Sequence, residues 1–196
     1  MELTVKLHKT VSLTREKWLN LYRAEYSHNG HRGQWVYASR KKQTSKGAAG
    51  PEAVIIVPVL KEKGLANRLV VIKEFRVPVG GYTYGFPAGL VDEGESVESA
   101  VRREMIEETG LHISRIRKVT SPLHSSMGLT DEAVALVYAD VKKVKGSVAA
   151  NEATEDIEVV LLDFAGVCAL CDNPGLPIDA KLWATLHMFQ RLGKIS

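Results

Sequence analysis

Residues 89–111 read GLVDEGESVESAVRREMIEETGL, and this stretch governs how the chain around it is read. Gly85, Pro87, Gly89 and Gly94 mark a loop at its entrance, because glycine and proline interrupt regular structure. Ser96 is suited to cap a helix and Gly110 to stop one, so the spacing predicts a helix over 97–109. On a wheel of 3.6 residues per turn, Glu104, Glu107 and Glu108 fall on the same arc as Val97, Ala100, Val101 and Met105. Glu98, Ser99, Arg102 and Ile106 take the other side. An ordinary surface helix separates acids from apolar residues. Carboxylates three and four residues apart repel one another, and turning them inward adds a desolvation cost. A divalent cation compensates both, and an all-oxygen donor set suits Mg²⁺ or Mn²⁺. A solvated acidic face, the plainer reading, leaves that shared arc unexplained.

Working outward, 54–60 (VIIVPVL) and 69–75 (LVVIKEF) are β-branched runs that read as strands joined through a hairpin containing Gly64. Residues 82–86 make a short strand entering the loop. Beyond the helix, 116–120 is weakly strand-like, and 133–144 and 157–162 are stronger. Residues 164–171 and 180–192 read as helices, the second amphipathic through Leu182, Trp183, Leu186 and Phe189. Strands with interspersed helices give an α+β class.

The chain has 196 residues, 45% of them apolar, and a formal net charge of +3. That suffices for one well-cored domain with a small N-terminal extension. Its densest basic run is Arg40-Lys41-Lys42, so charge does not argue for a nucleic-acid partner, whereas a small anionic molecule suits it. No stretch has the apolar length of a signal peptide or a membrane span, which leads us to expect a cytoplasmic protein without a membrane partner. Residues 39–50 (SRKKQTSKGAAG) read as a linker, dividing the chain into 1–50 and 51–196. Cys168 and Cys171 form C-x-x-C, but with no other cysteines to complete a zinc site they read as buried structural thiols.

The quoted stretch matches, at Gly89, Glu95, Arg103, Glu104, Met105, Glu107, Glu108, Gly110 and Leu111, every constrained position of the Nudix box. The chain therefore resembles the Nudix hydrolases. The resemblance implies a mixed β-sheet sandwiched between helices and hydrolysis of a P–O–P bond with Mg²⁺, or possible use of Mn²⁺. It implies that Glu104 and Glu108 are the main metal ligands, with Glu107 sharing a further ion and the Ala88 carbonyl completing a shell. It also implies that Glu95 pairs with Arg103 to brace loop against helix.

Residues 76–92, RVPVGGYTYGFPAGLVD, and 17–40, KWLNLYRAEYSHNGHRGQWVYASR, are similar to the ADP-ribose pyrophosphatase branch of that family. This likeness implies a homodimer with a swapped N-terminal segment, in which Trp18 and Trp35 sandwich a nucleotide base. Arg76, and less specifically Arg40, would contact the diphosphate. Glu155, ahead of Glu132, is the implied catalytic base. The expected reaction turns ADP-ribose or a related nucleotide sugar into a nucleoside monophosphate and a sugar phosphate. Met127, Gly85 and Val36 depart from the branch pattern and leave GDP-mannose, NADH and dinucleoside polyphosphates as alternatives. A non-catalytic nucleotide-binding module would have shed box carboxylates, and none is missing here.

Overall fold

The structure, a computed structural model, describes residues 5–41 and 50–196. Most of the expected linker, 42–49, lies outside the described residues. The chain runs β1 (Val5–Ser12), β2 (Asn20–His28), β3 (His31–Ser39), β4 (Ala53–Leu60), β5 (Arg68–Arg76), β6 (Gly81–Gly85) and β7 (Ala88–Leu90). There follow α1 (Val97–Thr109), β8 (His112–Val119), β9 (Leu123–His124), β10 (Ala133–Lys142), β11 (Ile157–Leu162), α2 (Phe164–Cys171) and α3 (Ala180–Leu192). All three helices span the ranges expected from sequence.

Two compact units emerge, one comprising Met1–Glu52 with Pro122–Val134, the other Ala53–Ser121 with Ala135–Ser196. In the first, β1, β2 and β3 form an antiparallel sheet in that order. The segment after Pro122, which sequence reading did not group with these strands, bonds to the end of β3. Ala38 N–H donates to the Leu129 carbonyl at 2.8 Å, and Lys41 pairs with Glu52 at 2.9 Å and Asp131 at 3.5 Å.

The second unit is built on the path β11-β5-β4-β10-β8. The pairs β11–β5, β5–β4 and β10–β8 are antiparallel. β4 and β10 run the same way, since Glu52 N–H meets the Ala133 carbonyl at one end and Lys61 N–H the Val141 carbonyl at the other. The sheet is therefore mixed. Alternation along its strands gives it two apolar faces. Val54, Ile56 and Val70 pack with Ala100, Val101 and Met105 of α1. Val57, Val59, Leu69 and Val71 pack with Val167 of α2 and with Leu182, Leu186 and Phe189 of α3. Each buried Val, Leu, Ile, Phe or Met contributes roughly 1.5–3 kcal/mol, so helices cover both faces. Cys171 is buried while Cys168 is partly exposed, and both are free thiols.

Candidate active site

The α1 helix begins and ends as its sequence dictates. Ser96 accepts a hydrogen bond from the Ser99 amide at 3.1 Å, and Gly110 closes the helix at φ 67°, a left-handed conformation that strains any residue with a Cβ. Gly110 also lies so close to Val148 and Ala149 that a Cβ would press on their backbone. Just before that turn, the Glu107 carbonyl accepts from the Ala150 amide at 2.7 Å. The segment after β10 is thus pinned to the end of α1.

Ala100, Val101 and Met105 are fully buried, and Glu108 on the same face is 6% exposed. Glu108 accepts one hydrogen bond from the Ala88 amide, at 3.1 Å. Burial, then the neighbouring Glu104 charge, pushes its carboxyl up to about 8, against the partial relief of that bond. The Glu104 side chain is also mostly buried, and its carboxyl is raised chiefly by burial, with Arg103 opposing and Glu107 and Glu155 adding. Gly89 makes room for it, because a Cβ there would overlap the Glu104 carboxylate.

Arg103 joins helix to loop. Its Nε and Nη2 donate to both Glu95 oxygens at 3.2 and 2.8 Å, and Nη2 donates to the Leu90 carbonyl at 2.9 Å. Its Nη1 donates to Glu104 at 2.6 Å and to Glu107 at 3.2 Å. The bidentate guanidinium pair holds the Glu95 carboxyl down to about 2. Ala88 meets the cluster through its N–H, where sequence reading had singled out its carbonyl.

From the neighbouring strand comes a carboxylate that sequence reading missed. Glu74 on β5 keeps only 12% of its side chain exposed and pairs with Arg76 at 2.9 Å. Burial raises its carboxyl, Arg76 lowers it, and Glu155 raises it further. Glu74 and Glu155 both act electrostatically on Glu108. The signal lay in the alternation Val70-Ile72-Glu74-Arg76, which carries the apolar face of β5 straight into a charged pair. Glu155 itself is exposed, and its Oε2 accepts from the Glu152 amide at 3.0 Å.

The remaining expected residues belong to the N-terminal unit. Arg40 and Glu132 face each other at 3.7 Å, and Glu132 also accepts from Ser125 Oγ at 2.7 Å. Trp18 precedes β2, is 65% exposed, and has the Lys17 ammonium 4.4 Å over its ring. Trp35 on β3 is half exposed, and its indole N–H donates to the Gly128 carbonyl at 3.2 Å.

Among the described residues, no three histidine, cysteine, aspartate or glutamate side chains are gathered closely enough to hold a metal ion as they stand. The Arg103 guanidinium lies between Glu104 and Glu107 instead. The donor chemistry nevertheless fits a hard divalent cation. The donors are all oxygen, and the buried Glu104 and Glu108 can both be charged only at a cost that a cation relieves.

The sequence profile of the NUDIX domain matches residues 50–175. The ADP-ribose pyrophosphatase of Saccharomyces cerevisiae is 30% identical over 175 residues, covering 85% of this chain and 74% of that protein. The ADP-sugar pyrophosphatase of Mus musculus is 33% identical over 99 residues, covering 50% of this chain and 44% of that one. Among solved structures, an ADP compounds hydrolase superposes with a TM-score of 0.71 at 22% identity, covering 96% of this chain and 94% of that chain, a likeness of fold. With the profile lying across most of the chain, over the very loop and helix that gather these carboxylates, the protein belongs to the NUDIX domain family.

Proposed function

We propose that this NUDIX protein hydrolyses the diphosphate bond of ADP-ribose or a related nucleoside diphosphate sugar, giving a nucleoside monophosphate and a sugar phosphate. The observation that carries the reading is the pair of buried carboxylates, Glu104 against Gly89 and Glu108 on the Ala88 amide, a constellation costly to charge unless it binds a cation. Glu104, Glu107 and Glu108, with the Ala88 carbonyl, would hold Mg²⁺, with Mn²⁺ as a substitute. When bound, the ion supplies neutralisation of the diphosphate charge and orientation of the attacking water.

The chain's own groups do the rest. Arg76 presents a guanidinium to the diphosphate oxygens, a geometry its planar fork matches. Arg103, held cationic by Glu95, keeps Glu104 and Glu107 near their working places. Glu155 Oε takes the proton of the water as it attacks phosphorus and the P–O–P bond breaks. Glu132, tied to Ser125 and Arg40, is the second candidate for that proton. Trp18 and Trp35 offer exposed indole faces for the base, and stacking contributes on the order of 1–3 kcal/mol. In this reading the enzyme is a cytoplasmic homodimer that exchanges its N-terminal segment.

The test is turnover with Mg²⁺ on ADP-ribose, GDP-mannose, UDP-glucose, NADH and a diadenosine polyphosphate, with phosphatase added to release countable phosphate. Preference for ADP-ribose is expected. Preference for another compound keeps the site chemistry and moves attention to Gly85, where a Cβ would meet open space. Silence across the panel would sink the catalytic reading.

A further inference from the structure

We infer that Glu74 is a positioning residue that holds Arg76 for the diphosphate, and that it is not a ligand of the cation. The inference rests on the proposed diphosphate chemistry of this site. Side chains two apart on a strand share a face, so Val70, Ile72, Glu74 and Arg76 all project from the same side of β5. Val70 packs against α1, which makes this the face that looks toward Glu104 and Glu108. Along it the environment passes from apolar core to a carboxylate, then to a guanidinium that is 51% exposed.

The register with β11 sets Ile157 opposite Glu74, and the Phe75 amide still bonds the Asp156 carbonyl at 3.2 Å beyond it. Glu155 lies two residues ahead of β11, past the last paired residue, at the end of the strand that neighbours Glu74. The guanidinium is paired with Glu74 on its own strand, and Glu155, just ahead of β11, acts electrostatically on that same Glu74 carboxylate. A carboxylate this buried persists only when paired, and Arg76 supplies the pair at 2.9 Å. In return Glu74 fixes the Arg76 stem along the strand. Without it, Arg76 would be drawn to Glu155, the group we assign to proton transfer. Glu74 thus keeps the diphosphate-binding cation apart from the base.

The experiment uses ADP, which carries the diphosphate, and calorimetric affinities for wild type, E74Q, R76A and the double variant with Mn²⁺ present. E74Q is expected to weaken ADP binding by about tenfold, and to weaken it little further when R76A is already in place, the non-additivity of a coupled pair. Affinity for Mn²⁺ alone should stay within about twofold of wild type, since ligand loss would cost far more. E74D, which keeps the charge but shortens the reach, covers the case in which E74Q fails to fold and should fall between E74Q and wild type. Additive losses, an unchanged ADP affinity in both Glu74 variants, or a fall in Mn²⁺ affinity would each overturn the inference. Because ADP is not turned over in this assay, failure of the substrate panel and failure of the Glu74 assignment remain separate results.

Discussion

Glu108 is the residue at which folding and the proposed chemistry conflict most directly. It shares the buried face of α1 with Ala100, Val101 and Met105, and its carboxyl has one backbone donor, so charging it costs the fold whatever it gives the site. Glu108→Gln is expected to lower turnover by on the order of 10²–10³-fold, as when a group that stabilises developing charge is removed. In chelator the same variant should melt at a higher temperature than wild type. A lower melting temperature would mean that the carboxylate is not a burden to the fold. Glu95 behaves oppositely. Its folded value, about 2, lies below the ordinary glutamate value of about 4.3. The pairing with Arg103 therefore stabilises the protein above that ordinary value, and the benefit disappears as pH falls through the folded one. Thermal melts of Glu95→Gln should fall below wild type at neutral pH and converge with it as pH approaches 2. A constant gap at every pH would point to lost packing instead.

At the scale of elements, the contact between β7 and α1 is where backbone and function meet. Gly89 has no Cβ because the Glu104 carboxylate lies against it. Gly89→Ala should therefore displace that carboxylate, depressing turnover while leaving the melting temperature close to wild type, because the group that yields is the end of a flexible side chain. A large loss of stability would show that the strand had moved. The helix α1 was legible in the sequence from Ser96 and Gly110 at its ends and α3 from its periodic apolar residues, whereas the caps Asp163 and Asp179 of α2 and α3 emerge only in the structure. β8 was less so. It begins at His112, four residues before its expected start, because two register shifts against β10 break the alternation that marks a strand. β1 and β9 escaped reading altogether. The first is exposed along most of its length with a shift between Leu7 and Lys9, and the second is two residues long. Glu74 was missed for a related reason, since the charged residues Lys73, Glu74 and Arg76 at the end of an apolar strand read as its solvated tip.

For the molecule as a whole, Glu104, Glu107 and Glu108 were legible because they are local in sequence, all on one helix. The approach of Glu155 to Glu74 and the pairing of Arg40 with Glu132 depend on strand register and on loop return, which no short stretch encodes. The N-terminal unit carries the proposed base contacts, and Trp35→Ala tests them. Loss of one stacking face should raise KM by roughly ten- to a hundredfold with kcat little changed. An unchanged KM would remove Trp35 from the substrate's surroundings. The bond from the Ala150 amide to the Glu107 carbonyl has a consequence at this scale too. It turns the connection ahead of β11 into a short leash, anchored on α1, with Glu155 five residues along it. Five residues reach at most about 17 Å. The acid is therefore confined to a small volume near the box helix, between that anchor on one side and the Asp156 carbonyl bonded to the Phe75 amide on the other.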